Sequence, residues 1–197
     1  NNLLKPSDGK PVAVPTQDMI LGSYYMTLVK KDEPGQGKVF RDVNEAMMAY
    51  QNGVIGLHAP IKVRNYKERD GKMESKIIDC TMGLLIFNKP IPQDLGYVDR
   101  TDPENMFRLE VEGLVNKGLL GKVIAKCIQK HGTAKTAEVL DNVKDQGYKY
   151  STQSGITVSV FDATIPQKKQ AYLDEAQAQV DRIMDLYRRR YVSEEER

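Results

Sequence analysis

The sequence predicts an α+β fold: small mixed β-sheets and helices, an αα-hairpin, and a projecting C-terminal helix forming half of an antiparallel coiled coil. Three observations predict it. Ile61-Lys62-Val63-Arg64 alternates apolar and polar, and a second strand follows around Ser75–Ile78 after an Asp70-Gly71 hairpin turn. Between Gly118 and Lys130 the apolar residues Leu119, Leu120, Val123, Ile124, Cys127 and Ile128 share one helix face. Near the C-terminus Leu173, Ala176, Val180, Ile183 and Tyr187 step by three and four, which lays them along one narrow seam.

The elements follow in order. Lys5–Pro15 is a loop with a Ser-Asp-Gly turn and a short extended Val-Ala-Val. Thr16 is a good N-cap, with Asp18 in the first turn, for a helix bearing Met19, Ile20, Tyr24 and Leu28. Lys31–Lys38 is a glycine-rich surface loop. Asp42-Val-Asn-Glu45 is a capping box opening a short helix with Ala46, Met47 and Tyr50 inward, ending at Asn52-Gly53. Cys80–Phe87 is apolar throughout, and periodicity leaves helix and strand both open. Lys89–Pro103, with three prolines, is irregular.

His131-Gly132 then closes the first arm of the αα-hairpin. Thr133 caps the second arm, which turns Ala137, Leu140 and Val143 inward and stops at Gly147. Ile156, Val158 and Val160, with Thr157 and Ser159 between them, alternate as a half-buried strand. Pro166 starts the last helix, Arg188-Arg189-Arg190 ends it where a helix dipole favours cations, and Ser193–Glu196 is a capping box for a further helix.

A chain of 197 residues can bury a real core. The formal net charge of +2 gives no argument for a nucleic-acid partner from overall charge. Locally, Lys117–Ser154 carries seven lysines against Glu138, Asp141 and Asp145. Among them Lys122, Lys126 and Lys130 step by four along one face, so a stand-alone nucleic-acid-binding module is the alternative function. Cys80 and Cys127 lie far apart with no CxxC, which makes a reduced cytoplasmic setting the default. No apolar run reaches the roughly 20 residues of a membrane span, and no signal peptide is evident. The first residue reads as a boundary inside a longer protein.

Little in the sequence is chemically reactive. His58 and His131 are the only histidines, and no metal-binding or nucleophilic spacing forms around them. His131 reads as a helix C-cap residue and His58 as loop or strand edge. Neither a phosphate-binding P-loop nor GxGxxG occurs. Asp94, Asp99 and Asp102 are separated by irregular sequence and do not read as a magnesium site. No catalytic residue and no metal ligand is expected in this chain.

Four separated blocks carry a resemblance. They are Asn1-Asn2-Leu3-Leu4 with Val14–Asp18 and Leu21–Thr27, then Leu57–Arg64, then His131-Gly132-Thr133 through Gly147–Tyr150, and finally Ser154–Thr157 with Ile165-Pro166. In this order they resemble the bacterial RNA polymerase β′ subunit family just after its catalytic aspartate loop, where the family reads close to NNIL-P-GEPI-VPSQD--LG-YYMT. The likeness covers essentially the whole chain.

The resemblance implies a pore-like α+β domain over 1–116, an αα-hairpin and strand of the funnel region over 117–166, and a truncated secondary-channel rim arm over 167–197. It implies that Asn1, Asn2, Gln17 and Asp18 line the channel, with Gln17 either offering its amide to nucleotide or RNA or capping the helix. Asp185, Arg188, Arg189 and Arg190 then sit where regulatory factors dock. The implied partners are the other polymerase subunits, transcript-cleavage and secondary-channel factors, and nucleoside triphosphates and the RNA 3′ end.

Catalytic magnesium is implied outside this chain, in an NADFDGD motif upstream of Asn1. The resemblance thus implies that the parent is a nucleotidyltransferase and that this chain alone should be inactive. Phe161 stands where relatives often carry an acidic residue, which implies an extra apolar contact beneath the arm. Weak self-association through the unpaired C-terminal helix is expected.

Overall fold

The computed structural model describes residues 4–69 and 72–197. The chain divides into two compact units, one running to Ile156 and the other from Thr157 to Arg197. The first contains α1 (Asp18–Met26), β1 (Val39–Phe40), α2 (Val43–Gln51), β2 (Ile61–Arg69), β3 (Lys72–Cys80), α3 (Met82–Asn88) and α4 (Lys117–Ser154). The second contains α5 (Lys169–Arg188). This is an α+β fold with one three-stranded mixed sheet, ordered β1-β2-β3.

β1, unforeseen in the sequence, lies parallel to β2 through Val39↔Lys62 and Phe40↔Val63. β2 and β3 are antiparallel, from Ile61↔Cys80 to Arg69↔Lys72. The turn expected at Asp70-Gly71 lies outside the described residues. On β2, Ile61 and Val63 are buried while Lys62 and Arg64 are exposed, as the period of two requires. The ambiguous apolar run resolves as α3. Thr81 caps it by accepting the Leu84 N–H at 3.1 Å, and every residue from Met82 to Asn88 is buried.

α2 keeps its predicted start with one change. Asp42 Oδ1 accepts the Glu45 N–H at 2.8 Å, but the Glu45 carboxylate accepts from Arg41 rather than from the cap residue, at 2.6 Å. α1 departs further from expectation. Its N-cap is Gln17 rather than Thr16, and its buried residues are Gly22, Ser23 and Met26, with Tyr24 exposed. The reason is a backbone-to-backbone crossing. Gly22 of α1 meets Gly147 of α4, and a Cβ on Gly147 would lie 2.7 Å from the Met19 Cα and carbonyl oxygen. Only paired glycines permit that approach. Gly147 therefore does not stop the helix. α4 runs on to Ser154 and ends at Gly155, whose φ of 59° supplies the left-handed cap.

The two predicted arms are two helices within α4 that meet at a sharp kink at Gly132, with φ 76° and ψ −177°. That conformation is open to glycine alone. The side-chain contact at the break comes from Thr136 and not Thr133: its Oγ1 donates to the Gly132 carbonyl at 2.7 Å. The core of the unit joins Met26, Phe87, Leu120, Ile124, Val139 and Val143. Cys80 and Cys127 are both buried free thiols, and burial pushes Cys80 up to about 12.

The strand expected over Ile156–Val160 does not form. Val158 is 82% and Val160 89% exposed, and Phe161 at 93% makes no apolar contact beneath the arm. Local hydrogen bonds take the backbone instead. Ser159 Oγ accepts the Phe161 N–H at 3.2 Å, and Asp162 Oδ2 accepts the Ser159 N–H at 2.7 Å, closing a 3-10 turn over Val160–Asp162. Ser and Asp side chains compete with a strand in this way when no partner strand is present.

Candidate functional site

The sequence-predicted residues fall into two groups, one in each unit, and each is described by itself. Asn1 and Asn2 lie outside the described residues. Gln17 and Asp18 stand together at the start of α1, both exposed. Gln17 has φ 47° and ψ −120° and makes no side-chain cap bond. A positive φ is uncommon for a residue other than glycine. Its carbonyl takes the Ile20 and Leu21 N–H groups, each at 3.0 Å, so the backbone alone starts the helix and the amide is left over. Asp18 complements the positive end of the helix dipole.

The second group closes α5. Asp185 Oδ2 pairs with Arg189 Nε at 3.0 Å, with both side chains more than half exposed. The Arg190 N–H donates to the Tyr187 carbonyl at 2.9 Å and the Tyr191 N–H to the Leu186 carbonyl at 2.9 Å. With Arg190 at φ 61°, this is a Schellman cap carrying arginine where glycine is usual. Sequence reasoning missed it because no glycine marks it.

The capping box that follows forms as expected: the Ser193 N–H reaches Glu196 Oε2 at 2.8 Å and the Glu196 N–H reaches Ser193 Oγ at 3.3 Å. These bonds hold the Glu196 carboxyl below its usual range. What they cap is a single turn and not a helix, with one bond from the Arg197 N–H to the Ser193 carbonyl at 3.2 Å. The Arg197 guanidinium lies over the Tyr187 ring at 4.8 Å. Along α5 the seam residues Leu173 and Val180 are each 51% exposed.

The lysine face of α4 is largely committed. Lys126 Nζ sits 3.9 Å over the Tyr97 ring and donates to the Gly96 carbonyl at 3.3 Å. Lys130 pairs with Asp94 at 3.2 Å. Only Lys122 of the three is uncommitted, which argues against a phosphate-tracking stripe. His131 stands just before the left-handed Gly132 that ends the first arm, and its side chain has a second use: its Nε2 meets Asp94 Oδ1 at 2.7 Å. The His131 and Lys130 partners hold the Asp94 carboxyl below its usual range against the opposing effect of desolvation. Asp99 and Asp102 cap Thr101 and Glu104 locally. Among the described residues no group of three or more His, Cys, Asp or Glu could hold a metal ion.

His58 lies in the loop just before β2, as expected, but it is buried: it is 1% exposed and packs edge-on against Tyr25, with ring centroids 4.5 Å apart. Neither ring nitrogen has a hydrogen-bond partner. Burial lowers its pKa from 6.5, with the Glu33 carboxylate opposing the shift. Between the lowered folded value and about 6.5, the unfolded chain binds a proton that the folded chain refuses. Stability from this site is thus fully present above pH of about 6.5 and lost as pH falls toward the folded value. Urea midpoints measured from pH 8 to 5 should decline for the parent more than for His58→Phe. Parallel profiles for the two would sink the assignment.

Among the described residues no helix is long and apolar enough to cross a membrane. Residues 2–163 match the family model described as RNA polymerase Rpb1, domain 3. The whole chain is 56% identical to DNA-directed RNA polymerase subunit beta' of Clostridium novyi (strain NT). It is 55% identical to that of Acetivibrio thermocellus and 52% identical to that of Caldicellulosiruptor saccharolyticus. In each case the likeness spans all 197 residues of this chain and 17% of the relative's length. The block order read from the sequence and the family match over 2–163 agree, and the chain belongs to the RNA polymerase Rpb1, domain 3 family, with a β′-type sequence from end to end.

Proposed function

We propose that this chain is the part of a cytoplasmic bacterial RNA polymerase β′ subunit that walls the secondary channel and presents a docking arm at its mouth. Its work is conduit and docking. Nucleotidyl transfer belongs to the assembled polymerase, with magnesium held by sequence outside this chain. The observation that carries the reading is the end-to-end likeness to β′ relatives, over all 197 residues at 52–56% identity.

The residues fit these roles. Gln17, released from capping, offers a neutral amide donor and acceptor beside Asp18, suited to passing nucleotides or an RNA 3′ end without trapping them. At the end of α5, Arg188 and Arg190 are exposed with no carboxylate partner among the described residues, while Arg189 shares Asp185. Exposed cations chiefly steer an acidic partner surface toward the arm. The half-exposed seam at Leu173, Val180 and Ile183 offers apolar area to a partner helix.

The test uses assembled polymerase carrying Arg188→Glu, Arg189→Glu and Arg190→Glu together, with a transcript-cleavage factor titrated at two salt concentrations. Association should slow about tenfold at low salt and converge on the parent at high salt. Undiminished association at both salts would remove the arginine tip from docking.

A further inference from the structure

Within the first unit, α2, β2 and α3 line a half-open cavity of about 370 Å³ that no role above uses. Its floor is apolar: Met47, Met82, Leu85, Ile86 and Leu109. That size and lining fall within the range of small-molecule sites. Two methionines give the floor a deformable surface.

Most of the amides at its edge are already spent. Asn88 Nδ2 donates to the Leu84 and Val111 carbonyls at 2.9 and 2.7 Å, and its Oδ1 accepts the Val111 N–H at 2.9 Å. Gln93 Nε2 donates to the Ile91 carbonyl at 3.0 Å while its Oε1 accepts the Glu110 N–H at 3.0 Å. Asn65 Nδ2 donates to the Phe107 carbonyl at 2.8 Å.

Lys67 differs from them. It follows Ile61, Val63 and Asn65 on the inward side of β2, is half-buried, and has neither a hydrogen bond nor an ion pair among the described residues. The nearby carboxylate, Glu110, is held by Arg100 at 3.0 Å, and Glu74, opposite Lys67 in the sheet, makes no ion pair with it. Burial and the Arg100 guanidinium both lower the Lys67 pKa. The cavity thus presents an apolar floor and one incompletely compensated ammonium; its other uncommitted lysine, Lys89, is exposed.

We propose that this cavity binds a small amphipathic monoanion, an aromatic or aliphatic body carrying one carboxylate or sulfonate, with the anionic head on Lys67 and the body on the Met47–Leu109 floor. Charge complementarity selects the head: a cation would meet Lys67 unfavourably, and a neutral ligand would leave it unpaired. The cavity has room for a body of about the size of a substituted naphthalene.

The test uses assembled polymerase and two probes of similar shape, 8-anilinonaphthalene-1-sulfonate and neutral N-phenyl-1-naphthylamine. Reductive methylation of lysines, read by peptide mass spectrometry, supplies the site-specific measurement. The sulfonate should slow methylation of Lys67 severalfold while exposed Lys31 and Lys62 react at unchanged rates. Lys67→Met should weaken sulfonate binding at this site about tenfold and leave the neutral probe within about twofold, as expected for loss of one charged contact. Lys67→Arg should retain the sulfonate, which separates loss of charge from loss of fold. Met47→Trp should abolish both probes by filling the floor. Unchanged Lys67 methylation with saturating sulfonate, or equal weakening of both probes by Lys67→Met, would overturn the proposal.

Discussion

Replacing Gly147 with alanine is expected to destabilise the chain by about 3 kcal/mol, the upper end of what one added methyl costs in a packed interior. The added Cβ would stand 2.7 Å from the Met19 Cα and carbonyl oxygen, and both are backbone atoms that no rotamer change can move. Relief requires α1 to slide off α4, which would also disturb the reciprocal approach of Gly22 to Gly147. Gly121 is the internal control. It lies in the arm of α4 before Gly132 with nothing near its missing Cβ, so Gly121→Ala should stabilise by up to about 1 kcal/mol through helix propensity alone. Urea denaturation of the two variants therefore separates packing from propensity, because the same substitution shifts the midpoint in opposite directions. Gly147→Ala at or above the parent midpoint would mean that the helices do not cross as described.

The same glycine marks where the sequence could be read and where it could not. The apolar face of α4, with Leu120, Val123, Ile124 and Cys127 buried, followed from spacing because burial of a helix face is a periodic property. By spacing alone Gly147 reads as a stop, because glycine near the end of an apolar pattern usually is one. Its use as a contact depends on Gly22, 125 positions earlier in the chain, and no local window contains that partner. The alternation of Ile156, Val158 and Val160 failed for the converse reason: a strand needs a neighbour, and Ser159 and Asp162 offered the backbone nearer bonds.

At the candidate site, the capping box at Ser193–Glu196 was legible because its bonds are local. The positive φ of Gln17 and the arginine Schellman cap at Arg190 carry no compositional mark. The Asp94 pairing with Lys130 and His131 joins a loop to a helix across 36 and 37 positions, which spacing does not encode.

Glu110 to glutamine is the second large effect, expected to cost about 3–5 kcal/mol, as for removal of one partner from a buried ion pair. The Glu110 side chain is 0% exposed and that of Arg100 22%. Glu110 Oε2 accepts from Arg100 Nη2 at 3.0 Å, and its Oε1 accepts the Tyr97 N–H at 2.7 Å. Arg100 also donates to the Met106 and Arg108 carbonyls, at 2.8 and 3.2 Å, and so ties together the irregular segment from Tyr97 to Val111. An amide keeps the shape of the carboxylate but leaves the guanidinium with no compensating charge, while its own N–H₂ opposes either the arginine or the Tyr97 amide.

Arg100→Met is expected to be costly for the mirror-image reason. The double variant Arg100→Met with Glu110→Gln removes both charges, so its loss should fall short of the summed single losses by roughly 2–3 kcal/mol, the range of coupling for groups in one network. The Tyr97 N–H and the Met106 carbonyl depend on these side chains, so the double variant remains below the parent. A purely additive cycle, measured by urea midpoint at constant m-value, would show that the two charges act independently and that the Tyr97–Val111 segment is held by its apolar residues alone.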